Sequence, residues 1–442
     1  MTKHKEREYR KTTVRYDGFS TAEKAGKMCA THAYGVTTKS GKLAQGQGLS
    51  YLAHEGADVR LPEGETLQKL GIVPNFLDEG RFHQPIISTR RAVMYYAAST
   101  KTFTNLLTAS PVCRFLALPM PSGDVMAGIL LPGSLWTYGV LNWVRKGCDG
   151  SFTSAACVYG NRLFVVDTNN VLLYSAPYEY ANFTDSADEG GRLTVADPID
   201  PFRQLIAIGD EMYCLTRKRI FCLEGRGAAR DFTLREVPYA GDAILEGSGA
   251  AFGDRLVFLT GEGMYSVQKG KATRLSASVP VGQISTVGAE AVATGDVYYF
   301  PCLVNGEKRT LCVDAEEGGC SYTQYTPVLC AYDGEAYGMA EDGRFFVFRH
   351  GCPLPQATFV KQGERFGDGR DKTLKILRLY GEGEVTLSVA GRNARREKTL
   401  TLTPFGEEIK VSLKGKAFDI AISPKVGSVV TAIEADVVQL IG

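Results

Sequence analysis

The stretch GDRLVFLTGEGMYSVQ, residues 253–268, contains a Gly-Asp turn, an apolar strand, a glycine turn and a returning apolar strand. Two apolar strands joined by a tight glycine turn predict a β-hairpin. The unit recurs in steps of 49, 44, 42 and 38 residues, with its turn glycine or the equivalent at residues 160, 209, 253, 295 and 333. A repeat of this length in a strand-rich sequence predicts the blades of a β-propeller.

Two segments upstream of the repeat supply further strand pairs, residues 92–96 with 103–107 and 115–118 with 125–131. The sequence therefore predicts six or seven blades over residues 84–355. Apolar runs without strict alternation agree with strands that are buried on both faces, between neighbouring blades. A β-sandwich with irregular hairpins is the alternative interpretation of the same strands.

The pattern changes after the Pro-rich break at residues 353–355. Longer segments with alternating apolar and polar residues follow, such as LKILRLY at 374–380, EVTLSV at 384–389 and EIKVSL at 408–413, and they predict separate strands with one exposed face. We expect a small antiparallel β-sandwich over residues 365–442, in a chain that is all-β as a whole. Residues 1–83 are then an N-terminal arm and strands that dock on the propeller.

Charge and residue content exclude several classes of protein. Fifty Lys and Arg against 49 Asp and Glu leave a formal charge of +1, which argues against a long basic track for nucleic acid. The 11 cysteines form no C-x-x-C pair and lie mostly in apolar runs, so we expect free, buried thiols in a protein made in a reducing cytoplasm. None of the five histidines has metal-ligand spacing, so we expect neither a metal site nor a cofactor.

One stretch has the length of a transmembrane helix, because residues 125–144 carry no charge. Pro132, Gly133 and Ser134 interrupt it, so two core strands around a turn are the better interpretation. The charged residues 1–7 precede no apolar segment, which indicates synthesis without a secretory signal. We therefore expect no membrane association.

The sequence contains no nucleophile elbow, zinc-binding helix, phosphate-binding loop or kinase signature, and we expect no enzyme activity. A propeller glycosidase needs only a few carboxylates around its axis. One loop region carries a group of them, Asp185, Asp188, Glu189, Asp197 and Asp200. A solvated loop is the favoured interpretation, and a glycan-cleaving site stays open.

Several segments between residues 16 and 270 share the order seen in one known family: 16–19, 25–28, 174–177, 183–185, 190–191, 197–201, 216–223 and 253–265. In this order, a strand that ends in Tyr-Ser is followed by a loop and by a strand whose basic pair precedes an apolar hairpin. The pattern resembles the propeller of bacteriophage tail-hub or head-to-tail connector proteins, the packaged-DNA-stabilisation family of short-tailed phages. Lys27 stands where that family usually has Asn.

The resemblance implies a structural virion protein, made in the host cytoplasm and built into the particle. Such proteins form a closed ring of identical subunits that plugs the portal channel and seats the tail. The implied partners are other copies of the chain, the portal or adaptor, and tail proteins. No catalytic residue carries over. The alternative is a carbohydrate-binding or glycan-cleaving propeller that acts as a receptor-binding part of a virion.

The N-terminal residues are the one strongly cationic stretch at a terminus. Six basic residues stand against two acidic ones in residues 1–15, namely Lys3, Lys5, Arg7, Arg10, Lys11 and Arg15 against Glu6 and Glu8. A segment of this kind is either a solvated tail or an arm that contacts a neighbour. We expect an interaction arm that reaches an adjacent subunit, the portal or packaged DNA, and whose deletion leaves the fold intact.

Overall fold

The computed structural model describes residues 8–21, 25–73, 84–97, 99–108, 111–138, 143–148, 150–186, 189–194, 200–225, 231–275, 284–295, 297–314, 320–392 and 394–441. These residues form β-strands, with one 3-10 turn at Lys39–Gly41 and no α-helix among them. Within the same ranges, a search for helices with the length and hydropathy of a membrane span finds none. The expected all-β class is confirmed.

Short strands come before the first blade: β1 (Glu8–Tyr16), β2 (Phe19–Ser20), β3 (Met28–Cys29), β4 (His32–Tyr34), β5 (Val36–Thr37), β6 (Leu43–Gln45), β7 (Gly48–Tyr51), β8 (Ala53–His54) and β9 (Ala57–Asp58). Most of them do not form a sheet of their own. As described below, they complete sheets whose other strands lie hundreds of residues further along the chain.

Five separate four-stranded antiparallel sheets then follow one another along the chain, as expected for propeller blades. The first blade is β10 (Leu67–Val73), β11 (Gln84–Thr89), β12 (Ala92–Ala97) and β13 (Thr102–Thr108), and the second is β14 (Arg114–Pro119), β15 (Val125–Leu131), β16 (Ser134–Tyr138) and β17 (Trp143–Gly147). The third is β18 (Phe152–Tyr159), β19 (Arg162–Asp167), β20 (Val171–Tyr174) and β21 (Gly191–Thr194). The fourth is β22 (Gln204–Ile208), β23 (Glu211–Leu215), β24 (Ile220–Glu224) and β25 (Thr233–Val237), and the fifth is β26 (Ala250–Phe252), β27 (Arg255–Thr260), β28 (Gly263–Gln268) and β29 (Lys271–Arg274).

The next strands belong to a larger sheet: β30 (Ile284–Thr286), β31 (Val292–Ala293), β32 (Val297–Val304), β33 (Glu307–Asp314) and β34 (Cys320–Thr323). A sixth separate sheet, the closing blade, contains β35 (Leu329–Tyr332), β36 (Glu335–Met339) and β37 (Phe345–Arg349). Its fourth strand is β7, which pairs with β37 from Gly48 to Tyr51. The N-terminal part of the chain therefore completes the last blade.

The first strands of the sheets close into a ring. Their packing order is β10, β14, β18, β22, β26, β31, β35 and again β10. Six separate four-stranded sheets thus form blades. Between the fifth blade and the closing blade lie β31–β34, which supply the seventh strand of the inner ring, in agreement with the expected six or seven. The first blade begins at Leu67, before the expected boundary at residue 84, because β10 pairs with β11 across the segment that joins them.

The repeated turns that predicted the fold occupy equivalent positions. The turns at Gly160, Gly209, Gly253, Gly295 and Asp333 each join the first and second strands of their group. Gly160, Gly209 and Gly253 have φ of 55°, 56° and 56°, which glycine adopts without strain. The predicted placement of these turns is confirmed.

The uncharged stretch at 125–144 is not a membrane helix. Its first part forms β15 and β16, which pair with each other around the turn at Pro132 and Gly133. Ile129, Leu130 and Leu135 are fully buried, so these strands lie in the interior between blades. The interpretation as core strands around a turn is confirmed.

The C-terminal strands are β38 (Thr358–Glu364), β39 (Lys372–Ala390), β40 (Arg395–Leu402), β41 (Glu407–Gly415), β42 (Phe418–Pro424) and β43 (Val429–Ile441). The first half of β39 pairs with β41 and β43, and its second half pairs with β40 and β42. One apolar core, which includes Leu377, Leu387 and Ile433, lies against both halves. The strand bends at Gly381 and Gly383, where the sequence predicted a gap between two strands.

The small sandwich expected over residues 365–442 is not confirmed as a separate unit. β38 pairs with β4, and β4 pairs with β34 of the propeller ring. β6 and β1 pair with β43. The C-terminal strands therefore share one sheet with N-terminal strands and with part of the propeller, because these strands supply each other's backbone hydrogen bonds.

Candidate functional site

The candidate N-terminal arm is largely a strand. Residues Glu8 to Tyr16 pair in continuous antiparallel register with Ile433 to Ile441 of β43. Arg10, Lys11 and Arg15 lie on this strand, whereas Lys3, Lys5 and Arg7 lie outside the described residues. From Glu8 onward the segment is therefore not a mobile tail, because its backbone completes a sheet edge. The interaction role of the arm stays a prediction.

Two of the arm cations belong to a charge network on the outer face of this sheet. Lys11 Nζ is 3.4 Å from the buried Asp436 carboxylate, which also accepts a hydrogen bond of 2.7 Å from Thr13 Oγ1. In the next row, Arg15, Glu434, Arg378 and Glu408 lie side by side on β1, β43, β39 and β41. Arg378 Nη1 is 2.7 Å from Glu434 Oε1.

These contacts set the charge state of Asp436. The Thr13 hydroxyl, Lys11 and Arg378 lower the pKa of the Asp436 carboxyl, against burial, which raises it. Opposite charges alternate across four strands of this sheet, and cross-strand pairs of opposite charge favour one pairing register. Lys11 and Arg15 thus pair with carboxylates of β43, although both side chains are exposed, as Arg10 is.

The loop carboxylates are held by local contacts. Asp200 accepts hydrogen bonds from Thr216 Oγ1 at 2.5 Å and from the Arg217 and Lys218 amides at 2.8 and 3.1 Å. Although burial raises the pKa of Asp200, these donors lower it below its ordinary value. A glycosidase acid needs the opposite shift.

The other carboxylates of that region do not join Asp200 in a common site. The exposed Asp185 lies 3.6 Å from Arg192 Nε, and the Glu189 carbonyl accepts a hydrogen bond from Arg162. Asp188 and Asp197 lie outside the described residues. The described members of the group therefore have separate partners, those of Asp200 in the turn between β23 and β24 and that of Glu189 on β19.

One cluster among the described residues has the composition of a metal site, Glu211, Cys222 and Glu224 on the fourth blade. Tyr213 Oη donates to Glu211 at 2.5 Å, and Arg235 forms an ion pair with Glu224. Burial, with the two carboxylates, raises the pKa of the Cys222 thiol to about 12. A neutral thiol between two carboxylates that already have hydrogen-bond donors does not require an ion.

Three charged side chains meet at the propeller axis, and we call Lys69, Arg114 and Glu290 the axial cluster. Lys69 lies on β10, Arg114 begins β14, and Glu290 precedes β31. Arg114 Nη2 is 3.0 Å from Glu290 Oε2. In the ring, two inner strands separate β14 from β31 on one side and three on the other, so this ion pair spans the axis.

The axial cluster also contacts the surrounding inner strands. Lys69 Nζ donates a hydrogen bond of 2.6 Å to the carbonyl of Cys113, the residue before Arg114. Arg114 Nη1 lies 3.4 Å from the Ser154 carbonyl on β18. The cluster thus lies where the inner strands begin, at one face of the propeller.

The charges of the axial cluster are only partly compensated. Burial lowers the pKa of the Lys69 ammonium, Glu290 opposes this shift, and Arg114 adds to it. On the neighbouring β35, burial raises the pKa of Cys330 to about 12, with smaller effects of Arg114 and Glu290. Two cations and one carboxylate leave a formal charge of +1 at this point of the axis.

A second surface feature is apolar. Phe405, in the turn between β40 and β41, is 92% exposed, and Val426, in the turn between β42 and β43, is 44% exposed. Both turns are hydrogen-bonded to the bend of β39, through Gly381 N to Thr403 O and Lys425 N to Glu384 O. We call Phe405 and Val426 the apolar tip.

The sequence does not reveal the axial cluster, because no motif joins its members. Lys69, Arg114 and Glu290 are 45 and 176 residues apart. A single charge within an otherwise apolar inner strand is the one available signal, as in LQKLGIV for β10 and RFLALP for β14. The apolar tip has a weaker signal, the segment TPFG at residues 403–406.

Comparisons with known proteins show likeness in fold alone. No protein-family model and no curated protein sequence matches the chain. Among solved structures, BamB from Moraxella catarrhalis is similar at 11% identity and a TM-score of 0.42, over 68% of this chain and 97% of that one. YCF48 bound to D1 peptide is similar at 12% identity and 0.44, over 68% and 97%. The AfRom2 CNH domain is similar at 8% identity and 0.43, over 68% and 98%.

Proposed function

We propose that the chain is a structural component of a bacteriophage particle, made in the host cytoplasm, that forms a closed ring at the head-to-tail junction or tail hub. In this position the ring plugs the portal channel and seats the tail. The proposal rests on the sequence pattern of residues 16–270, which resembles the phage family, and on one structural observation, the apolar tip. It assigns no catalytic role to any residue.

The apolar tip has the properties of a subunit contact. Burial of a phenylalanine side chain contributes about 1.5–3 kcal/mol, and Phe405 is 92% exposed in the single chain. The turn that carries it is fixed, because Gly406 N bonds to Thr403 O at 3.1 Å and Gly406 packs closely on the Tyr380 ring. A side chain presented by an ordered turn loses little entropy when a partner covers it.

The proposed partners are further copies of the chain, the portal or adaptor, and tail proteins. A closed ring uses the same contact at each interface, so a single anchor such as Phe405 acts once per subunit. Contact of the arm with packaged DNA is the least supported part of the proposal, since Lys11 and Arg15 already form ion pairs with Asp436 and Glu434.

Electron microscopy and sedimentation of the purified protein test the proposal. We expect rings from the wild type, and Phe405→Ser should weaken each interface by about 10- to 100-fold, the equivalent of 1.5–3 kcal/mol. Val144→Ser is the control, because Val144 is also exposed, at 48%, but lies on the outermost strand of the second blade. A monomeric wild type, or rings that persist in Phe405→Ser, would contradict the proposal.

A carbohydrate-binding role is the second candidate, and a row of hydroxyl side chains favours it. The row runs across neighbouring strands in register, through Thr399, Thr386, Ser423, Thr358, Tyr34 and Tyr322. The guanidinium of Arg309 lies 5.3 Å from the centre of the Tyr34 ring. Hydroxyl groups beside an aromatic ring match the polar and apolar faces of a sugar.

A glycan array tests this second candidate. We expect a saccharide that binds the wild type to lose affinity for the double variant Thr386→Val and Ser423→Ala, which removes two adjacent hydroxyls. Thr401→Val, on the same strand as Thr399 but outside the row, is the control. The absence of any bound glycan would exclude this function and leave the assembly role untouched.

A further inference from the structure

The axial cluster combines exposure to solvent with hydrogen-bond donors that have no acceptor among the described residues. The Arg114 and Glu290 side chains are 29% and 36% exposed, so solvent reaches the ion pair from the face where the inner strands begin. Lys69 has three N–H donors, and the Cys113 carbonyl accepts one of them. The described residues offer no second acceptor within hydrogen-bond distance, which leaves two donors of this half-buried ammonium for solvent or a ligand.

The charges of the cluster favour an anion. Glu290 neutralises Arg114 at 3.0 Å, and the Lys69 ammonium faces a carbonyl but no carboxylate of its own. A partly buried cation without a counter-ion is unfavourable, and an anion with several acceptor oxygens offsets this cost. Burial lowers the pKa of Lys69 in agreement with this incomplete compensation.

We propose that the axial cluster is a binding site for an oxyanion, a carboxylate or phosphate group, that enters the axis and bridges Lys69 and Arg114. The anion accepts hydrogen bonds from the free donors of Lys69 and competes with Glu290 for the Arg114 guanidinium. Three separate parts of the ring supply the site, so a bound anion also links the first and second blades to the segment before β31. This inference does not depend on the proposed virion role.

A purely structural role of the cluster makes a different prediction. If the Arg114–Glu290 pair only braces the ring across its axis, removal of the Glu290 charge weakens the fold and creates no affinity for anions. If the cluster is a binding site, the same change removes the internal competitor and strengthens anion binding. Glu290→Gln therefore separates the two roles by the direction of its effect on affinity.

Titration calorimetry in low-salt buffer, with two probes, tests the proposal. The probes are inorganic phosphate and the blocked peptide acetyl-Gly-Glu-Gly-amide. Lys69→Met, which keeps the aliphatic stem, should weaken binding about tenfold or more, the equivalent of one charge-assisted hydrogen bond. Glu290→Gln should tighten binding about tenfold. Lys271→Met, on the exposed outer strand of the fifth blade, is the matched control and should leave binding unchanged.

The relative affinity of the probes identifies the source of the anion. Tighter binding of the peptide indicates an acidic side chain of a partner, and tighter binding of phosphate indicates a free or attached phosphate group. No binding of either probe at a few millimolar overturns the proposal. It is equally overturned if Lys69→Met binds as the wild type does. Should Lys69→Met fail to fold in a thermal melt, weaker or unchanged binding in Glu290→Gln overturns the proposal by itself.

Discussion

Asp436 is the residue on which the outer charge network of the C-terminal sheet depends. It is 2% exposed and lies within hydrogen-bond or ion-pair distance of Thr13, Lys11 and Arg378. Loss of this charge removes the carboxylate that pairs with Lys11 and one of the three carboxylates that contact Arg378. We expect Asp436→Asn to lower the free energy of unfolding by about 1–3 kcal/mol at neutral pH, measured by urea denaturation. Glu382→Gln, an exposed carboxylate on β39, should change it little.

The contribution of Asp436 depends on pH in a defined direction. Because the folded pKa lies below the ordinary value of 3.8, the stabilisation is fully present above that value and is lost as the pH falls through the folded pKa. The difference in stability between wild type and Asp436→Asn should therefore be constant from pH 7 to about pH 5 and shrink below about pH 4. A difference that grows on acidification would contradict the assignment.

The cysteines are unpaired, and each of them is buried or half-buried. All 11 are free thiols. Five of them are buried, namely Cys113, Cys214, Cys222, Cys302 and Cys320. Burial raises the pKa of Cys113 to about 11 and that of Cys320 to about 12, so few thiolates form at neutral pH. We expect iodoacetamide to label the half-buried Cys352 before Cys113, and to label all 11 in denaturing urea, as read by mass spectrometry.

At the scale of the element, β39 depends on glycine at its bend. A Cβ at Gly381 would lie 2.0 Å from the Val429 carbonyl oxygen, and Gly383 has φ of 85°. These two glycines allow the first half of β39 to pair with β41 and β43 and its second half to pair with β40 and β42. We expect Gly381→Ala to destabilise the protein by about 1–3 kcal/mol, measured by thermal and urea denaturation. Gly147→Ala, on β17 with open space around it, should have little effect.

The sequence predicted that deletion of the N-terminal arm leaves the fold intact, and the pairing of β1 leads to the opposite expectation. Its pairing with β43 and the ion pairs of Lys11 and Arg15 make it part of the sheet. Deletion of residues 2–15 should therefore lower the melting temperature, because Val437 and Ala435 on β43 lose the strand residues paired with them. Deletion of residues 2–7 is the control. A full-length melting temperature in the longer deletion would show that β1 adds no stability.

At the scale of the whole molecule, N-terminal strands connect the propeller and the C-terminal sheet. β7 completes the closing blade, while β4 and β6 pair with C-terminal strands. We expect one cooperative unfolding transition, so tryptophan fluorescence, which reports on Trp136 and Trp143 in the second blade, should coincide with far-UV circular dichroism in urea.

A substitution in the closing strand tests this coupling. A Cβ at Gly48 would lie 1.9 Å from the Cys352 carbonyl oxygen, so Gly48→Val should displace β7 from β37. We expect both optical transitions to move together to lower urea concentration, although the tryptophans are in another blade. Two separate transitions would show that the propeller and the C-terminal sheet unfold independently. Gly147→Val is the control.

Structural features that depend on neighbouring residues in the chain were predictable from the amino-acid sequence alone. Glycine turns with positive φ and apolar strands of a few residues are set by neighbours in the chain, so the hairpins beginning at Gly160, Gly209 and Gly253 were predictable, and their repeat predicted a propeller. The free cysteines followed in the same way from their apolar surroundings.

Contacts between distant segments could not be predicted from the sequence and are known from the fold. β7 pairs with β37, and β1 pairs with β43, through backbone hydrogen bonds that almost any side chain permits, so the pairing leaves little trace in the sequence. The two segments predicted around Gly381 and Gly383 are one strand because Val429 and Ser428 pack against those glycines. Arg114 and Glu290 meet because ring closure brings their strands to opposite sides of one axis, where Arg114 Nη2 and Glu290 Oε2 are 3.0 Å apart. No local pattern in the sequence encodes this contact.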